Sequence, residues 1–263
     1  MNKELQEKYL KNIENNVNVG KINTGFEFII LIVAFSAIIG TIWLFSDSII
    51  NICIDNMSNE TQIKLEKMIG FKVKNTYISE DKNIEKLNYI KDKIISMDSK
   101  LQGKSNFPIQ IIKNNELNAA VTPNGRIFIT SKLADTIKDE EMLTFILAHE
   151  LGHYANRDHL KMFGKEIAKY VLTTMLSGGN NAMETTLIGI SDFHNLKYSR
   201  KQEKKADKYA SQVVYKLYGS TKGGINFFNL LKNKENLPLF MEYLSTHPST
   251  ESRIREIKKF KRD

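Results

Sequence analysis

A single apolar run near the start of the chain constrains its fold more than any other sequence feature. Residues 26–45 read FEFIILIVAFSAIIGTIWLF, with Glu27 as the one charged residue. This length matches the about 20 residues that a helix needs to cross the hydrocarbon core of a bilayer. A helix that is apolar on every face has no side to turn towards water, and a signal peptide has a shorter apolar core of about 7 to 15 residues. The run therefore predicts one transmembrane helix, with the lipid bilayer as a partner.

The charges on the two sides of this run predict its orientation. Four lysines precede it and only acids follow it as far as Lys64, namely Lys3, Lys8, Lys11 and Lys21 before and Asp47, Asp55 and Glu60 after. By the positive-inside rule, residues 1–25 form a cytoplasmic segment and residues beyond 46 lie on the other side. We therefore expect a single-pass protein of the cell (inner) membrane whose main domain is extracytoplasmic.

The formal net charge of +8 does not indicate binding to a nucleic acid. It results from 38 Lys and Arg against 30 Asp and Glu, and the lysines are spread along the chain. Sequence-independent binding to a nucleic acid needs a concentrated basic face. Cys53 is the single cysteine, which excludes an intrachain disulfide. The 263 residues suffice for one domain of ordinary size besides the apolar helix.

The rest of the chain shows the pattern of an α+β domain. A polar juxtamembrane region, 46–83, precedes residues 84–97, where apolar side chains recur at helical spacing. Short runs rich in β-branched and aromatic residues start at Phe107 and Gly125 and predict two strands, with residues 115–121 as a third, edge strand. Helices are predicted from Asp139, from about residue 192 to 217, and after Pro248. We therefore expect a mainly helical domain with a small sheet over residues 84–263. Residues 165–190, which are apolar but interrupted, either contact the membrane or cover a cleft.

The strongest chemical motif lies in the helix that starts after Asp139. The residues His149-Glu150-Leu151-Gly152-His153 form the HExxH pattern. On a helix the two histidines lie one turn apart on one face, where both imidazoles can bind one tetrahedral Zn²⁺. Glu150 lies beside the metal, where its carboxylate can accept a proton from a water that the ion has acidified. The pattern predicts one zinc ion per chain and a hydrolytic site.

Two residues compete to be the third zinc ligand. His159 stands where the metzincin pattern HExxHxxGxxH has its third histidine, with Asn156 in place of the glycine. Glu203 is the alternative, because it lies on a second predicted helix with Asp207 one turn later. In that arrangement Glu203 binds zinc while Asp207 steadies a ligand histidine. Taken alone, each of these acids is more often a solvated residue on a lysine-rich helix surface.

Several motifs follow one another over residues 84–258, namely NAAVTPNGRIFIT, LAHELGHYANRDH, SRKQEKKAD and THPSTESRI. In this order they resemble the HtpX and CAAX prenyl protease family of gluzincin zinc peptidases, and the BepA-like envelope members fit best because HtpX has further membrane spans. The resemblance implies the zinc ligands His149, His153 and Glu203, the base Glu150, and support from Asp207. It also implies that Asn118 and Ala119 pair with the substrate backbone and that His247 and Arg253 belong to the cleft wall.

This resemblance implies a function for the whole chain. We expect a membrane-anchored zinc metalloendopeptidase that hydrolyses unfolded or misassembled envelope proteins in protein quality control, with His247 stabilising the oxyanion. One alternative is a non-catalytic zinc-binding scaffold or chaperone-like protein of the same fold, although the presence of Glu150 favours catalysis. A second alternative is a peptidase whose catalytic domain is cytoplasmic. The specific substrates and the oligomeric state stay open.

Overall fold

The computed structural model divides the chain into two units, residues 1–48 and 49–263. It describes residues 2–14, 24–68, 77–78, 81–104, 106–177, 198–234, 243, 247 and 251–259. The first unit contains α1 (Lys3–Glu14) and most of α2 (Thr24–Asp55). Of the described helices, α2 alone is long and apolar enough to cross a bilayer, and its apolar part is not buried inside the protein. The predicted helix 26–45 thus lies within α2, which continues for ten more residues.

The second unit contains a small four-stranded mixed sheet, in the order β1-β2-β4-β3. Its strands are β1 (Tyr77–Ile78), β2 (Ile109–Ile112), β3 (Ala119–Val121) and β4 (Ile127–Thr130). β2 and β4 are parallel, whereas β1 and β3 pair antiparallel with them at the two edges. The three predicted strands are present, and residues 119–121 form an edge strand as expected.

Helices surround this sheet and form most of the second unit. They are α3 (Asn59–Met68), α4 (Ile84–Ser96), α5 (Ser131–Thr136), α6 (Glu140–Ala155), α7 (Asp158–Ser177), α8 (Arg200–Tyr218), α9 (Lys222–Lys234) and α10 (Glu251–Lys259). The α+β class with a mainly helical domain is confirmed. The predicted helix from residue 192 begins at Arg200 in the described part of the chain, and residues 178–197 lie outside the described residues. The domain boundary at residue 84 stays a prediction.

Helix α6 is the centre of the second unit. The Asp139 carboxylate accepts a hydrogen bond from the Met142 amide and starts the helix, with Glu140 and Glu141 favourably placed near the positive end of its dipole. Every residue from 143 to 154 is buried, because α6 packs against α8, α9, α4 and β3. A helix buried on all faces has no separate polar side, so no amphipathic stripe in the sequence marks its central position.

Helices α8 and α9 close the other side of α6. Ser199 and Gln202 form a capping box at the start of α8, and Gly219, with φ of 65°, ends the helix in the left-handed conformation. Helix α9, like β1, was not predicted from the sequence, since Gly223 and Gly224 suggest a turn. A Cβ atom on Gly224 would lie 2.6 Å from the Phe145 ring. Glycine therefore permits α9 to approach α6 closely.

Candidate metal centre

The two histidines of the HExxH pattern lie on one face of α6, as helical geometry requires. The Nε2 atoms of His149 and His153 are 3.2 Å apart, and both side chains are completely buried. Helix α8 packs against α6 and places Glu203 at the same point, with Oε1 3.3 Å from His153 Nε2. Residues 50 or more positions apart in sequence thus lie together.

His247 completes this cluster. Its Nδ1 atom lies 3.3 Å from His149 Nε2 and 3.0 Å from Glu203 Oε1. One donor atom from each of His149, His153, Glu203 and His247 lies within 4.8 Å of the other three. The structure therefore brings a cleft-wall candidate and the three predicted ligands to one buried place.

The spacing of these donor atoms fits a divalent metal ion. Nitrogen and oxygen ligands at about 2.0–2.1 Å in tetrahedral geometry are separated from one another by about 3.3 Å. The four distances between neighbouring donors in the cluster run from 3.0 to 3.3 Å. Three imidazoles and one carboxylate are also the ligand types that zinc and similar ions prefer. The cluster is a candidate metal centre by distance, burial and donor chemistry.

Carboxylates behind the two α6 histidines hold their rings in this orientation. Asp207 Oδ1 lies 3.0 Å from Nδ1 of His149, and Asp158 Oδ2 lies 3.0 Å from Nδ1 of His153. Such contacts leave each Nε2 free to face an ion and raise its basicity. Asp207 was expected in this place, but Asp158 was not predicted. The sequence gives little indication of this role for Asp158, because its position depends on a turn of the chain at Arg157. Arg157 has a left-handed backbone, with φ of 56°.

Arg253 of α10 neutralises the carboxylates from the opposite side. Its Nε and Nη2 atoms donate to the two oxygens of Asp207 at 2.6 and 2.7 Å, and Nη1 lies 2.7 Å from Glu203 Oε2. The guanidinium is buried and lies over the Phe228 ring. Arg253 thus contacts the acids of the metal centre directly, whereas the resemblance implied a position in the cleft wall.

Burial and neighbouring charges set the protonation of the cluster. Loss of hydration lowers the pKa of His149 and of His247, which favours the neutral imidazole that a metal needs. Burial also lowers the pKa of His153, but the hydrogen bonds and charges of Asp158 and Glu203 outweigh it and raise that pKa to about 9. Burial raises the pKa of Glu203, yet the surrounding histidines, His247 first, hold it well below its usual range. The carboxylate is therefore ionised and available as a ligand.

Glu150 lies next to the donor cluster but outside it. One carboxylate oxygen is 3.6 Å from Nε2 of His247. The side chain is completely buried, and loss of hydration raises its pKa, although nearby histidines and the backbone of Val121 in β3 oppose this shift. A carboxylate with a raised pKa beside a metal site is suited to accept and return a proton near neutral pH.

The predicted substrate contacts lie at the edge of the sheet. Ala119 starts β3, whose described pairing is with β4 on one side, and Asn118 is the residue before it. The Asn118 amide donates to Thr130 Oγ1, and its carbonyl accepts from the Thr130 amide. Because β3 packs on α6 and its Val121 lies beside Glu150, this edge borders the candidate metal centre.

His159 belongs to a different cluster. Its Nε2 lies 3.3 Å from Glu66 of α3, and its ring stacks on Tyr154 with centroids 5.0 Å apart. Glu66 also accepts hydrogen bonds from the Tyr154 hydroxyl and from Gln62. Of the two candidates for the third ligand, Glu203 therefore lies with the α6 histidines, and His159 lies with α3.

Comparison with known proteins identifies the family of this chain. The model of peptidase family M48 matches residues 82–261. The mitochondrial metalloendopeptidase OMA1 is 27% identical in Danio rerio and 28% in Homo sapiens, over 57% of this chain and 34% and 31% of theirs. The Escherichia coli metalloprotease YcaL is 27% identical over 54% of this chain and 58% of its own length. The match thus spans about a third of the mitochondrial relatives. Because the family model covers more than half of the chain and includes the whole cluster, the chain belongs to peptidase family M48.

Proposed function

We propose that this chain is a zinc-dependent metalloendopeptidase, anchored in a membrane by α2. The observation that carries the proposal is the juxtaposition of Glu150 with a buried cluster of four donor atoms that lie within 4.8 Å of one another. The relatives named as metalloendopeptidases support the same activity. A scaffold without turnover has no need of a buried, incompletely paired carboxylate at this point, since such a group is costly to bury.

Zinc is the expected ion, and His149, His153 and Glu203 are the residues proposed to hold it. Bound zinc would polarise the scissile carbonyl and lower the pKa of a water. A catalytic site keeps one position open for water or substrate. His247 is therefore assigned to the reacting side of the centre, where its Nε2 faces Glu150 at 3.6 Å.

Glu150 and His247 supply the proton transfers and the charge stabilisation. The Glu150 carboxylate takes a proton from the attacking water and then returns it to the nitrogen of the departing amine, which balances the hydrolysis of one peptide bond. Burial raises the pKa of Glu150, which makes its carboxylate a stronger base than an exposed one. The His247 imidazole donates a hydrogen bond to the oxyanion that develops on the carbonyl oxygen.

The edge of the sheet is proposed to bind the substrate. Asn118 and Ala119 lie at the start of the edge strand β3, where an extended peptide can add as a further strand through main-chain hydrogen bonds. Main-chain pairing does not depend on the side chains of the peptide, so it suits varied, unfolded substrates. We propose unfolded or misassembled envelope proteins as these substrates, with protein quality control as the role.

The change Glu150→Gln tests the mechanism. An amide of nearly the same shape cannot accept a proton, so peptidase activity on an unfolded protein such as casein should fall by about 10² to 10⁴. The bound metal should stay near one ion per chain, because the proposed ligands are unchanged. Plasma mass spectrometry measures the metal content, and cleavage rates are measured with and without chelator. Together they test whether Glu150 acts as the base. Wild-type turnover in this variant would refute the role of Glu150.

The orientation in the membrane needs a separate test. We propose an extracytoplasmic second unit, from the lysines before α2 and the acids after it. Cys53 is exposed in α2 but lies close to the apolar run, so Lys132, exposed in α5, is the better position for a label. A Cys53→Ala, Lys132→Cys variant should react with a membrane-impermeant maleimide in intact spheroplasts. Labelling that appears only after lysis would show that the domain is cytoplasmic.

A further inference from the structure

A basic cavity of about 370 Å³ lies in the second unit, beside the last turn of α2, and no residue of the donor cluster lines it. Its walls come from the end of α2, the start of α3, the segment after α4, the turn between α6 and α7, and α8. Its charged lining residues are Asp55, Lys100, Lys104, Arg157, Lys161 and Lys205. The volume lies in the range of about 300–1,000 Å³ that is usual for small-molecule sites.

The charges around this cavity do not balance. Five of the six charged side chains are cationic and one is anionic, which leaves an excess of four positive charges. Asp55 is already occupied, because its carboxylate lies 2.6 Å from the Lys161 ammonium. Like charges held around one cavity repel each other, and a bound anion removes that repulsion.

Hydrogen bonds and an ion pair fix the side chains of two of the cations, Arg157 and Lys161. Arg157 donates through Nη1 to the backbone carbonyls of Ile54 and Met57, both at 2.7 Å, where α2 ends. The Lys161 ammonium is buried and also donates to the Asn156 carbonyl at 2.9 Å. These contacts hold positive charge in place before any ligand binds, so little ordering entropy is lost on binding.

The other three lining cations are more exposed to solvent than Lys161. Lys104 is partly buried and donates to Gln62 Oε1 at 3.2 Å. Its loss of hydration, together with the nearby Arg157, lowers the pKa of Lys104, although the charges of Glu66 and Asp98 oppose this shift. Lys100 and Lys205 are exposed and lie on different elements, so their ammonium groups can close on an anion from two sides.

We propose that this cavity binds the phosphate group of an anionic ligand, with an acidic phospholipid headgroup as the favoured source. Lysine and arginine are the side chains that bind phosphate oxygens best. Asp55 lies ten residues after the apolar run on the same helix, α2, and ten helical residues span about 15 Å, so this cavity wall is close to the segment that is proposed to cross the membrane. Basic sites next to a membrane helix are suited to acidic headgroups. The site is separate from the peptidase function and does not depend on it.

The test uses the full chain in detergent micelles and measures the midpoint of thermal unfolding by circular dichroism. Additions are phosphatidylglycerol, phosphatidylcholine as a lipid of zero net charge, inorganic phosphate, and chloride at matched ionic strength. A ligand at a hundredfold its Kd should raise the midpoint by about 5–10 °C. The variant Lys100→Gln/Lys205→Gln should lose most of this rise. Its matched control is Lys132→Gln/Lys216→Gln, which removes the same charge from exposed positions that do not line the cavity.

The outcomes distinguish the sources of the phosphate. A rise with phosphatidylglycerol but not with inorganic phosphate identifies a lipid site, and a rise with inorganic phosphate identifies a site for free phosphate. In both cases the cavity variant should respond less than the control variant. If neither ligand raises the wild-type midpoint above the chloride reference, or if both double variants respond like wild type, the proposal is overturned.

Discussion

Replacement of Glu203 and of His159 separates the two possible third ligands of the metal centre. Glu203 Oε1 lies 3.3 Å from His153 Nε2 and 3.0 Å from His247 Nδ1, whereas His159 faces Glu66. Structural zinc sites with four ligands bind with about 10–16 kcal/mol, so one ligand accounts for about 3–4 kcal/mol. Glu203→Ala should therefore weaken zinc binding by about 10² to 10³ and abolish activity.

His159→Ala should affect stability instead of metal binding. The change removes a buried ring and leaves the Glu66 carboxylate with its other partners, Tyr154 and Gln62. A buried hydrogen bond and a small cavity together cost about 2–4 kcal/mol. His159→Gln is the matched control, because its amide can still donate to Glu66 and should recover part of this loss.

Circular dichroism first shows whether each purified variant is folded. Each variant is then titrated with zinc in chelator buffers, and bound metal and cleavage of an unfolded protein are measured. We expect an unchanged zinc Kd for both His159 variants and a strongly raised Kd for Glu203→Ala. Loss of zinc from His159→Ala with zinc retained by Glu203→Ala would overturn the ligand assignment and the reasoning from donor geometry.

Two further changes test the groups around the ion. His247→Ala should keep about one metal ion per chain and reduce kcat by about 10² to 10³, since an oxyanion donor is lost, and metal loss from this variant would show that His247 is a required ligand. Asp158→Ala should weaken metal affinity by about 10- to 100-fold, because the His153 ring is no longer held in place. Asp158→Asn should recover part of the affinity. Equal affinity in the wild type and both variants would contradict a positioning role for Asp158.

Local chemistry made much of the fold predictable from the sequence. The N-cap at Asp139 sets the start of α6, where a helix was predicted, and the left-handed Gly219 ends α8 close to the predicted end at residue 217. β1 and α9 were missed for a common reason. A two-residue strand is stable only through its pairing with β2, and the glycines of α9 are explained by contact with α6. These features depend on tertiary contacts, which a single sequence does not display.

The site was predictable to the extent that its residues share one helix. His149 and His153 are four residues apart, so helical geometry alone places them together. Spacing alone could not separate Glu203 from His159, because the choice depends on tertiary contacts. Helix α8 packs against α6 and brings Glu203 to the α6 histidines, whereas His159 contacts Glu66 of α3. Asp158 was missed since its position beside His153 depends on the left-handed Arg157. A left-handed arginine is uncommon and has no signal in the sequence.

The buried charges give an independent reason to expect a divalent ion at this centre. Apart from Glu150, the acids Glu203, Asp207 and Asp158 contact the site histidines, and Arg253 pairs with the first two. With ionised acids and neutral histidines, these four groups sum to −2. Unbalanced buried charge is strongly unfavourable, and a divalent ion cancels this sum. Without the ion, a proton on His153 supplies part of the missing charge, which agrees with its pKa of about 9. Metal and proton therefore compete for the same imidazole, and metal binding should release a proton below that pH.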